Sequence, residues 1–411
     1  MTERLYYQDS HLAEFEARIT DVADGGAPGR FTVMLDRTAF YPTGGGQPTD
    51  TGTLGAARVV ECIDREEAGV LHIVEGAAPP QVGALVAGRI DWPRRLDHIQ
   101  QHTGQHILSQ AFVRLFDAPT RAFRMLERAC EIDLELPDPS DECIEQAVAL
   151  ANRIIWEDRP VRVRQVSTEE AAALPLRKDS ARAGDLRIIE IEDYDLSPCG
   201  GTHAARTGEV GILAVRSWER AKGLTRLEFL AGGRVHADYR RANQTARAVA
   251  ALFSAGRDDT PELAARLVEE NKNLQRRLRV LQEIATRVEA DELLHTTAPA
   301  HPAGDERARI LTHLFDGRDA DSLKQLALAI IARPGYVALL GSRDTEGRAA
   351  RLVFARAADA PGDMNALMRD ACALLGGRGG GRPDLAQGGG TNVANLPEAL
   401  RAAAEHLRAT Q

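Results

Sequence analysis

The sequence predicts an α+β fold with a small N-terminal β-barrel, a mixed α+β domain, a helical hairpin or coiled coil, and a C-terminal α/β domain. Three patterns carry this prediction. Short apolar runs separated by Gly- and Pro-rich turns occupy residues 1–91, and apolar residues recur at helical spacing from Leu96 onward. Beyond residue 262, leucines repeat at seven-residue intervals, which is typical of a coiled coil.

The composition is that of an ordinary soluble globular protein. Its 411 residues are 44% hydrophobic and 27% charged. No apolar run approaches the roughly 18–20 residues needed to span a bilayer. The N-terminus, MTERLYYQDSHLAEFE, lacks an apolar signal core, and the five cysteines have no paired spacings. We therefore expect a cytoplasmic protein with no membrane partner and no disulfides.

Residues 1–91 are predicted to form the β-barrel. The turn PTGGGQP at 42–48 is typical of the loops that separate short strands. The predicted strands cover residues 30–37, 57–63, 70–74 and 85–91.

Residues 92–231 are predicted to form the mixed α+β domain. Its first helix covers 96–116, where Ile99, Ile107 and Leu108 belong to a set of apolar residues at spacings of three and four. A second helix is predicted at 142–156. The predicted strands cover residues 130–136, 161–166, 186–191, 210–217 and 224–231.

Residues 232–296 are predicted to be two helices, at 234–253 and 262–294, joined by a turn. In the second helix, residues at seven-residue spacing form an apolar seam; they are Leu267, Leu274, Leu281 and Val288. The short turn allows an antiparallel hairpin within one chain, and the seam equally allows pairing with a second copy. We therefore expect either a hairpin or a homodimer through residues 232–411.

A Pro- and Ala-rich linker at 296–304 precedes the predicted C-terminal α/β domain, residues 305–411. Predicted strands cover 336–342 and 349–355, and predicted helices cover 321–332, 364–375 and 396–408. Between the last two helices lies GGRGGGRPDLAQGGG, and its first glycines, at 376–381, are expected to form either an anion-binding nest or a plain turn.

Two pairs of residues have the spacing of metal ligands. His102 and His106 are four residues apart in the predicted helix, so both imidazoles lie on one face. Cys199 and His203 flank Gly-Gly-Thr in a predicted turn after the strand at 186–191, and the glycines let both side chains point at one centre. One cysteine and three histidines are a ligand set that suits zinc.

These motifs resemble the editing domain of alanyl-tRNA synthetases and of the free-standing AlaX proteins. HxxxH in a helix is followed about ninety residues later by CxGTH. The stretch FYPTGGGQP at 40–48 resembles the family's glycine motif, and the Gly-rich tail resembles the DHH-associated domain that ends alanyl-tRNA synthetases. The resemblance covers essentially the whole chain and is greatest to the long AlaX class.

The resemblance implies an ATP-independent, zinc-dependent hydrolase that removes serine, and then glycine, from mischarged alanine tRNA. His102, His106, Cys199 and His203 would hold the zinc. Gly44, Gly45, Gly46 and Gln47 would either contact the substrate or shape the rim of the barrel, and Thr120 is the candidate for sensing the serine hydroxyl. The barrel begins within about the first 30 residues, so we expect no aminoacylation domain and editing in trans.

The same residues also allow two other interpretations of the function. Four protein ligands normally make a closed structural zinc site, so a zinc-stabilised tRNA-binding protein without catalysis is one alternative. Editing of another mischarged tRNA is a second. The net charge of −9 opposes nonspecific RNA binding, although residues 215–247 contain eight basic and three acidic side chains.

Overall fold

The computed structural model describes residues 2–177, 186–297 and 308–410. Two units each bury a core of their own, Met1–Arg257 and Asp258–Gln411. The predicted α+β class is confirmed. Within the described residues, no helix is long and apolar enough to cross a membrane.

The first unit begins with the predicted small barrel, which is confirmed as a closed barrel of six strands in the order β2-β3-β7-β6-β5-β8. The strands of this region are β1 (Glu3–Arg4), β2 (Glu14–Asp24), β3 (Arg30–Leu35), β4 (Arg37–Thr38), β5 (Gly52–Leu54), β6 (Ala57–Asp64), β7 (Val70–Glu75) and β8 (Leu85–Ile90). The sequence prediction omitted the longest of them, β2. Its buried side includes the small Ala17 between Phe15 and Ile19, so its apolar alternation is weak.

The barrel leads directly into helix α1 (Trp92–Phe116), which carries the HxxxH motif. The helix begins ahead of the predicted Leu96 because Asp91 caps it and Pro93 lies in its first turn, whereas apolar spacing marks only its later turns. Its apolar side, with Ile107 and Phe112, packs in the same core as helix α2 (Asp141–Trp156). Polar residues on other sides of α1 are buried too, so this helix is a central element of the unit.

Two further sheets complete the first unit. A four-stranded sheet has the order β14-β15-β10-β9, and a three-stranded sheet has the order β11-β12-β13. The elements after α1 are β9 (Thr120–Met125), β10 (Cys130–Leu134), α2, β11 (Val161–Val166), α3 (Thr168–Ala172), β12 (Leu186–Ile191), β13 (Asp195–Pro198), β14 (Leu213–Ala221), β15 (Leu224–Ala231) and α4 (Gly233–Leu252). The sequence predicted no strand between 186–191 and the turn at Cys199, but β13 lies there and pairs antiparallel with β12.

Both predicted helices of residues 232–296 are present, α4 and then α5 (Thr260–Thr297). Helix α4 belongs to the first unit and α5 to the second, so the hairpin remains a prediction. The heptad residues of α5 are exposed; Leu274, for example, is 62% exposed and Leu281 is 63% exposed. Most of the predicted linker, residues 298–304, lies outside the described residues.

The second unit is a five-stranded sheet with helices on both faces, in the order β16-β17-β18-β20-β19. After α5 its elements are β16 (Arg309–Asp316), α6 (Ala320–Ile331), β17 (Tyr336–Arg343), β18 (Ala350–Arg356), α7 (Met364–Leu374), β19 (Arg378–Arg382), β20 (Leu385–Gly390) and α8 (Leu396–Ala409). Alternate residues of β17 supply the two cores. Val337 and Leu339 pack with α7 and α8, whereas Ala338 and Leu340 pack with α6 and the end of α5.

The Gly-rich segment of the second unit is a β-hairpin and not the expected anion nest or plain turn. Gly379 of β19 lies opposite Gly388 of β20. A Cβ atom would lie 2.7 Å from the Cys372 sulfur at Gly379 and 2.4 Å from it at Gly388. These glycines therefore allow helix α7 to pack close to the sheet, a requirement that the sequence pattern does not reveal.

Candidate metal centre

The structure brings the two predicted ligand pairs together. His102 and His106 lie on the buried side of α1, and Cys199 and His203 lie in the loop that follows β13. One donor atom from each of the four residues lies within 4.8 Å of all the others. The Cys199 sulfur is 3.4 Å from His102 Nε2 and 3.3 Å from His203 Nε2. This cluster can hold a metal ion.

Each imidazole is oriented by a hydrogen bond at its other ring nitrogen. In each case Nδ1 contacts a buried oxygen, which leaves Nε2 to face the cluster. The three contacts are His102 to Gln47 Oε1 at 2.8 Å, His106 to Asp195 Oδ2 at 3.1 Å, and His203 to Thr103 Oγ1 at 3.3 Å.

Gln47 connects the glycine motif of the barrel to the metal-binding loop. Its side-chain amide donates to Thr202 Oγ1 at 2.9 Å, and its Oε1 accepts from the Thr202 backbone N–H at 3.2 Å. A Cβ atom at Gly201 would lie 2.2 Å from the His102 ring, so glycine is required there. Gln47, which the sequence assigned to substrate contact, is fully buried behind His102.

Asp195 orients His106, a role that the sequence motifs did not predict. Its carboxylate also accepts from Arg177 Nε at 2.7 Å and from Ser197 Oγ at 3.0 Å. Burial raises the pKa of Asp195, but Arg177 and His106 outweigh burial and lower the pKa to about 2. An acidic residue on a short strand just before Cys199 is the only sequence signal of this role, and it is a weak one.

The electrostatics of the cluster favour a thiolate at Cys199 and a neutral ring at His203. Burial opposes ionisation of Cys199, yet the adjacent His102 and His203 hold its thiol pKa well below the usual range. Burial lowers the pKa of His203 to about 3, so this ring is neutral near pH 7. A thiolate and neutral imidazoles are the protonation states that bind transition metals.

Substitution of Asp195 tests whether its carboxylate orients His106 for metal binding. We expect Asp195→Asn to weaken metal binding about ten- to a hundredfold, because it removes the charge that orients and polarises the His106 ring. Competition with a chromophoric chelator measures the affinity. Glu190→Gln in the same sheet is the control, since Glu190 pairs with the exposed Arg164 and not with a ligand of the cluster. Unchanged affinity in Asp195→Asn would show that the carboxylate has no role in ligand orientation.

A cavity of about 710 Å³ lies beside the cluster and is lined by His102, His106 and Cys199. Of the predicted substrate contacts, Gly44, Gly45 and Thr120 also line it. The Thr120 hydroxyl donates to Ser109 Oγ at 2.7 Å, and Gln105 Nε2 donates to the same oxygen at 2.7 Å. Gly46 lies away from the cavity. A Cβ atom there would be 2.6 Å from the Phe123 carbonyl, and its φ of 83° favours glycine.

Known proteins match this chain over nearly its whole length. Family models match at residues 3–94 (tRNA synthetases class II (A)), 186–228 (threonyl and alanyl tRNA synthetase second additional domain) and 308–409 (DHHA1 domain). The alanyl-tRNA editing protein AlaX-L of Pyrococcus horikoshii is 31% identical over 94% of both chains. This chain belongs to the AlaX-type alanyl-tRNA editing protein family.

Alanine–tRNA ligases are also similar to this chain. That of Pyrobaculum neutrophilum is 31% identical over 98% of this chain, and that of Natronomonas pharaonis is 33% identical over 99%. The chain spans only 44% of the length of either ligase. The second-domain match at 186–228 contains Cys199, His203 and the Asp195 carboxylate behind His106. The C-terminal DHH-associated domain expected from the sequence is confirmed by the DHHA1 match.

Proposed function

We propose that this protein is a zinc-dependent hydrolase that removes serine, and more slowly glycine, from mischarged alanine tRNA in trans and without ATP. The observation that carries the proposal is the buried His102–His106–Cys199–His203 cluster beside an open cavity. Membership of an alanyl-tRNA editing family supports tRNA as the substrate.

The donor set fits zinc. Zinc–sulfur bonds of about 2.3 Å and zinc–nitrogen bonds of about 2.0–2.1 Å place tetrahedral sulfur and nitrogen ligands about 3.5 Å apart. The separations from the Cys199 sulfur to His102 and His203, 3.4 and 3.3 Å, agree with that spacing. Hydrogen bonds to all three Nδ1 atoms further support a preformed site.

In this proposal, bound zinc supplies Lewis-acid polarisation of the aminoacyl ester. The protein's own residues hold and select the substrate. Gln47 and Asp195 keep the His102 and His106 rings in place. Gly44 and Gly45 leave space at the barrel rim for the end of the tRNA, because neither adds a side chain to the cavity wall.

Thr120 is the side chain we propose for recognition of the serine hydroxyl. It lines the cavity, and its hydroxyl belongs to the chain of hydrogen bonds formed by Gln105, Ser109 and Thr120. A polar group held in this way can accept a hydrogen bond from serine, whereas alanine offers none.

Substitution of Thr120 tests this selectivity. We expect Thr120→Val to lower kcat/KM for serine-charged alanine tRNA about two- to tenfold, because one hydrogen bond to the substrate is lost. The rate with the glycine-charged form should change little. Thr120→Ser, which keeps the hydroxyl, is the matched control. An equal loss on both substrates would assign Thr120 to packing and not to recognition.

The proposed tRNA surface is narrower than the basic stretch at 215–247 suggests. Five of its eight cations pair with carboxylates of the described residues; they are Arg216, Arg220, Arg226, Arg234 and Arg241. Lys222, Arg240 and Arg247 have no such partner within the described ranges. The last two lie on α4 beside Asn243 and Gln244. We infer that this face of α4 contacts phosphates.

Residues 232–411 are proposed to hold the tRNA and to form a homodimer. The exposed heptad seam of α5, with Leu274 at 62% exposure, supports pairing with a second copy. The DHHA1 match at 308–409 supports a tRNA role, since alanine–tRNA ligases match this chain over the same region.

One assay tests the proposed function. Purified protein is mixed with serine-, glycine- and alanine-charged alanine tRNA, and loss of the ester is followed. We expect rapid loss of serine, slower loss of glycine and sparing of alanine. Equal hydrolysis of the serine and alanine esters would contradict proofreading. No hydrolysis of any charged tRNA, with metal bound, would indicate a tRNA-binding protein instead.

A further inference from the structure

Arg187 of β12 packs against the metal-binding loop from the side of the cavity. Its Nη1 donates to the backbone carbonyls of Cys199, at 2.7 Å, and Gly201, at 3.0 Å, and its Nε donates to the Tyr7 carbonyl at 3.1 Å. The guanidinium also lies 5.4 Å from the centre of the Tyr7 ring. Three neutral carbonyls therefore hold this cation in a defined orientation.

Arg187 interacts favourably with the anionic form of Cys199, which is itself a candidate metal ligand. No carboxylate of the described residues pairs with it, and its Nη2 is buried without a hydrogen-bond partner. Partial burial of a cation without a carboxylate partner carries a desolvation cost. The other two arginines that line the cavity differ, because Arg177 pairs with Asp195 and Arg121 pairs with Glu135. Arg187 is thus the cavity arginine without a carboxylate partner in the part of the chain that the structure describes.

The chemistry of an aminoacyl-tRNA end narrows the choice of anion. The α-amino group of the amino acid is cationic, and the ester, ribose and adenine are neutral. The phosphodiester that precedes the terminal nucleotide is the remaining charged group, and it is anionic. Arg187 donates hydrogen bonds to the backbone carbonyls of Cys199 and Gly201. The ester, in contrast, must lie at the side-chain atoms that bind the metal. The phosphodiester is one ribose away from the ester, so it is the anion that would lie near Arg187 when the ester lies at the ligand atoms.

We propose that Arg187 binds the phosphodiester immediately before the 3′-terminal nucleotide of the substrate, an inference that rests on the proposed hydrolase function. The two Nη2 hydrogens offer the charge-assisted hydrogen bonds that phosphate oxygens accept. Binding there places the ribose, and with it the ester, beside the metal centre. Arg187 is accordingly a substrate-positioning residue that recognises nucleic-acid ends carrying a phosphodiester.

Two small esters test the proposal: serine attached to adenosine, which has no phosphate, and serine attached to cytidylyl-adenosine, which has one phosphodiester. We expect Arg187→Gln to lower kcat/KM for the dinucleotide ester about ten- to a hundredfold and to leave that for the adenosine ester nearly unchanged. Arg187→Lys, which keeps the charge, should lose less. An equal loss on both esters, or no loss on either, would overturn the proposal.

Two controls separate recognition from folding. The metal content of Arg187→Gln should equal that of the unmodified protein, and Arg164→Gln, an exposed arginine paired with Glu190, should behave as the unmodified protein does. A binding measurement on the unmodified protein avoids the risk that a variant misfolds. By calorimetry the unmodified protein should bind cytidylyl-adenosine about ten- to a hundredfold more tightly than its uncharged methylphosphonate analogue. Equal affinities would overturn the proposal.

The binding measurement also separates this inference from the proposed function. If the unmodified protein hydrolyses neither ester, the proposed hydrolase function fails. A preference for the charged dinucleotide that Arg187→Gln abolishes would still support the phosphodiester site. If both esters are hydrolysed but the preference is absent, the proposed function stands and the role of Arg187 is wrong.

Discussion

Replacement of Cys199 by alanine is expected to weaken metal binding more than a hundredfold and to abolish hydrolysis of serine-charged alanine tRNA. Changes to residues that only orient a metal ligand cost about ten- to a hundredfold in affinity, and Cys199 is itself a candidate ligand. It is also the anionic member of the cluster, since the adjacent His102 and His203 lower its thiol pKa despite burial.

The measurement combines metal analysis after dialysis with ester hydrolysis on the same preparation. Cys143→Ala is the matched control, because Cys143 is another free cysteine and lies on α2 outside the cluster. It should retain both metal and activity. A Cys199→Ala protein that keeps a full complement of zinc and normal hydrolysis would contradict the assigned ligand set.

Replacement of Asp50 by alanine is expected to lower the free energy of unfolding by about 3–5 kcal/mol, because it leaves a fully buried guanidinium without a counter-charge. Asp50 and Arg95 form an ion pair in which both side chains are inaccessible to solvent. Arg95 also donates to the carbonyls of Ser10, at 2.8 Å, and Ala39, at 2.6 Å. Asp50 accepts from the Tyr41 backbone N–H at 2.7 Å.

This pair joins the start of α1 to the barrel, so it also sets the position of the helix that carries His102 and His106. Urea denaturation measures the change in stability. Glu75→Ala is the control, because Glu75 pairs with Arg30 at the surface, where both side chains are 43% exposed. Such a pair contributes about 0–1 kcal/mol. Similar losses in the two variants would show that burial of the Asp50–Arg95 pair adds nothing.

The sequence predictions that agree with the structure rest on patterns among neighbouring residues. The strands predicted at 161–166, 186–191 and 224–231 have the observed bounds, because each is a short run whose apolar residues identify it without its neighbours. The closeness of His102 to His106, and of Cys199 to His203, likewise follows from spacings of four residues. A helical turn or a glycine loop brings such residues together whatever surrounds them.

Long-range packing decided the features that the sequence did not reveal. Gln47 lies 55 residues from the His102 it orients, and Asp195 lies 89 residues from His106. A polar residue on a strand or loop has the same sequence signature whether it faces water or a buried imidazole. Only the folded chain shows that its partner is a metal ligand.

The same distinction applies to charge and to glycine. Counting residues in the stretch 215–247 indicates a basic surface, but paired carboxylates such as Asp97 and Asp133 come from distant parts of the chain. Gly379 and Gly388 occur in a segment that resembles a loop, yet close packing of α7 on a sheet requires them. By itself the sequence determined the family's motifs and the candidate ligands, since these depend on neighbouring residues. The orienting partners, the contacts of Arg187 and the cavity required the tertiary structure, because they depend on contacts between distant segments.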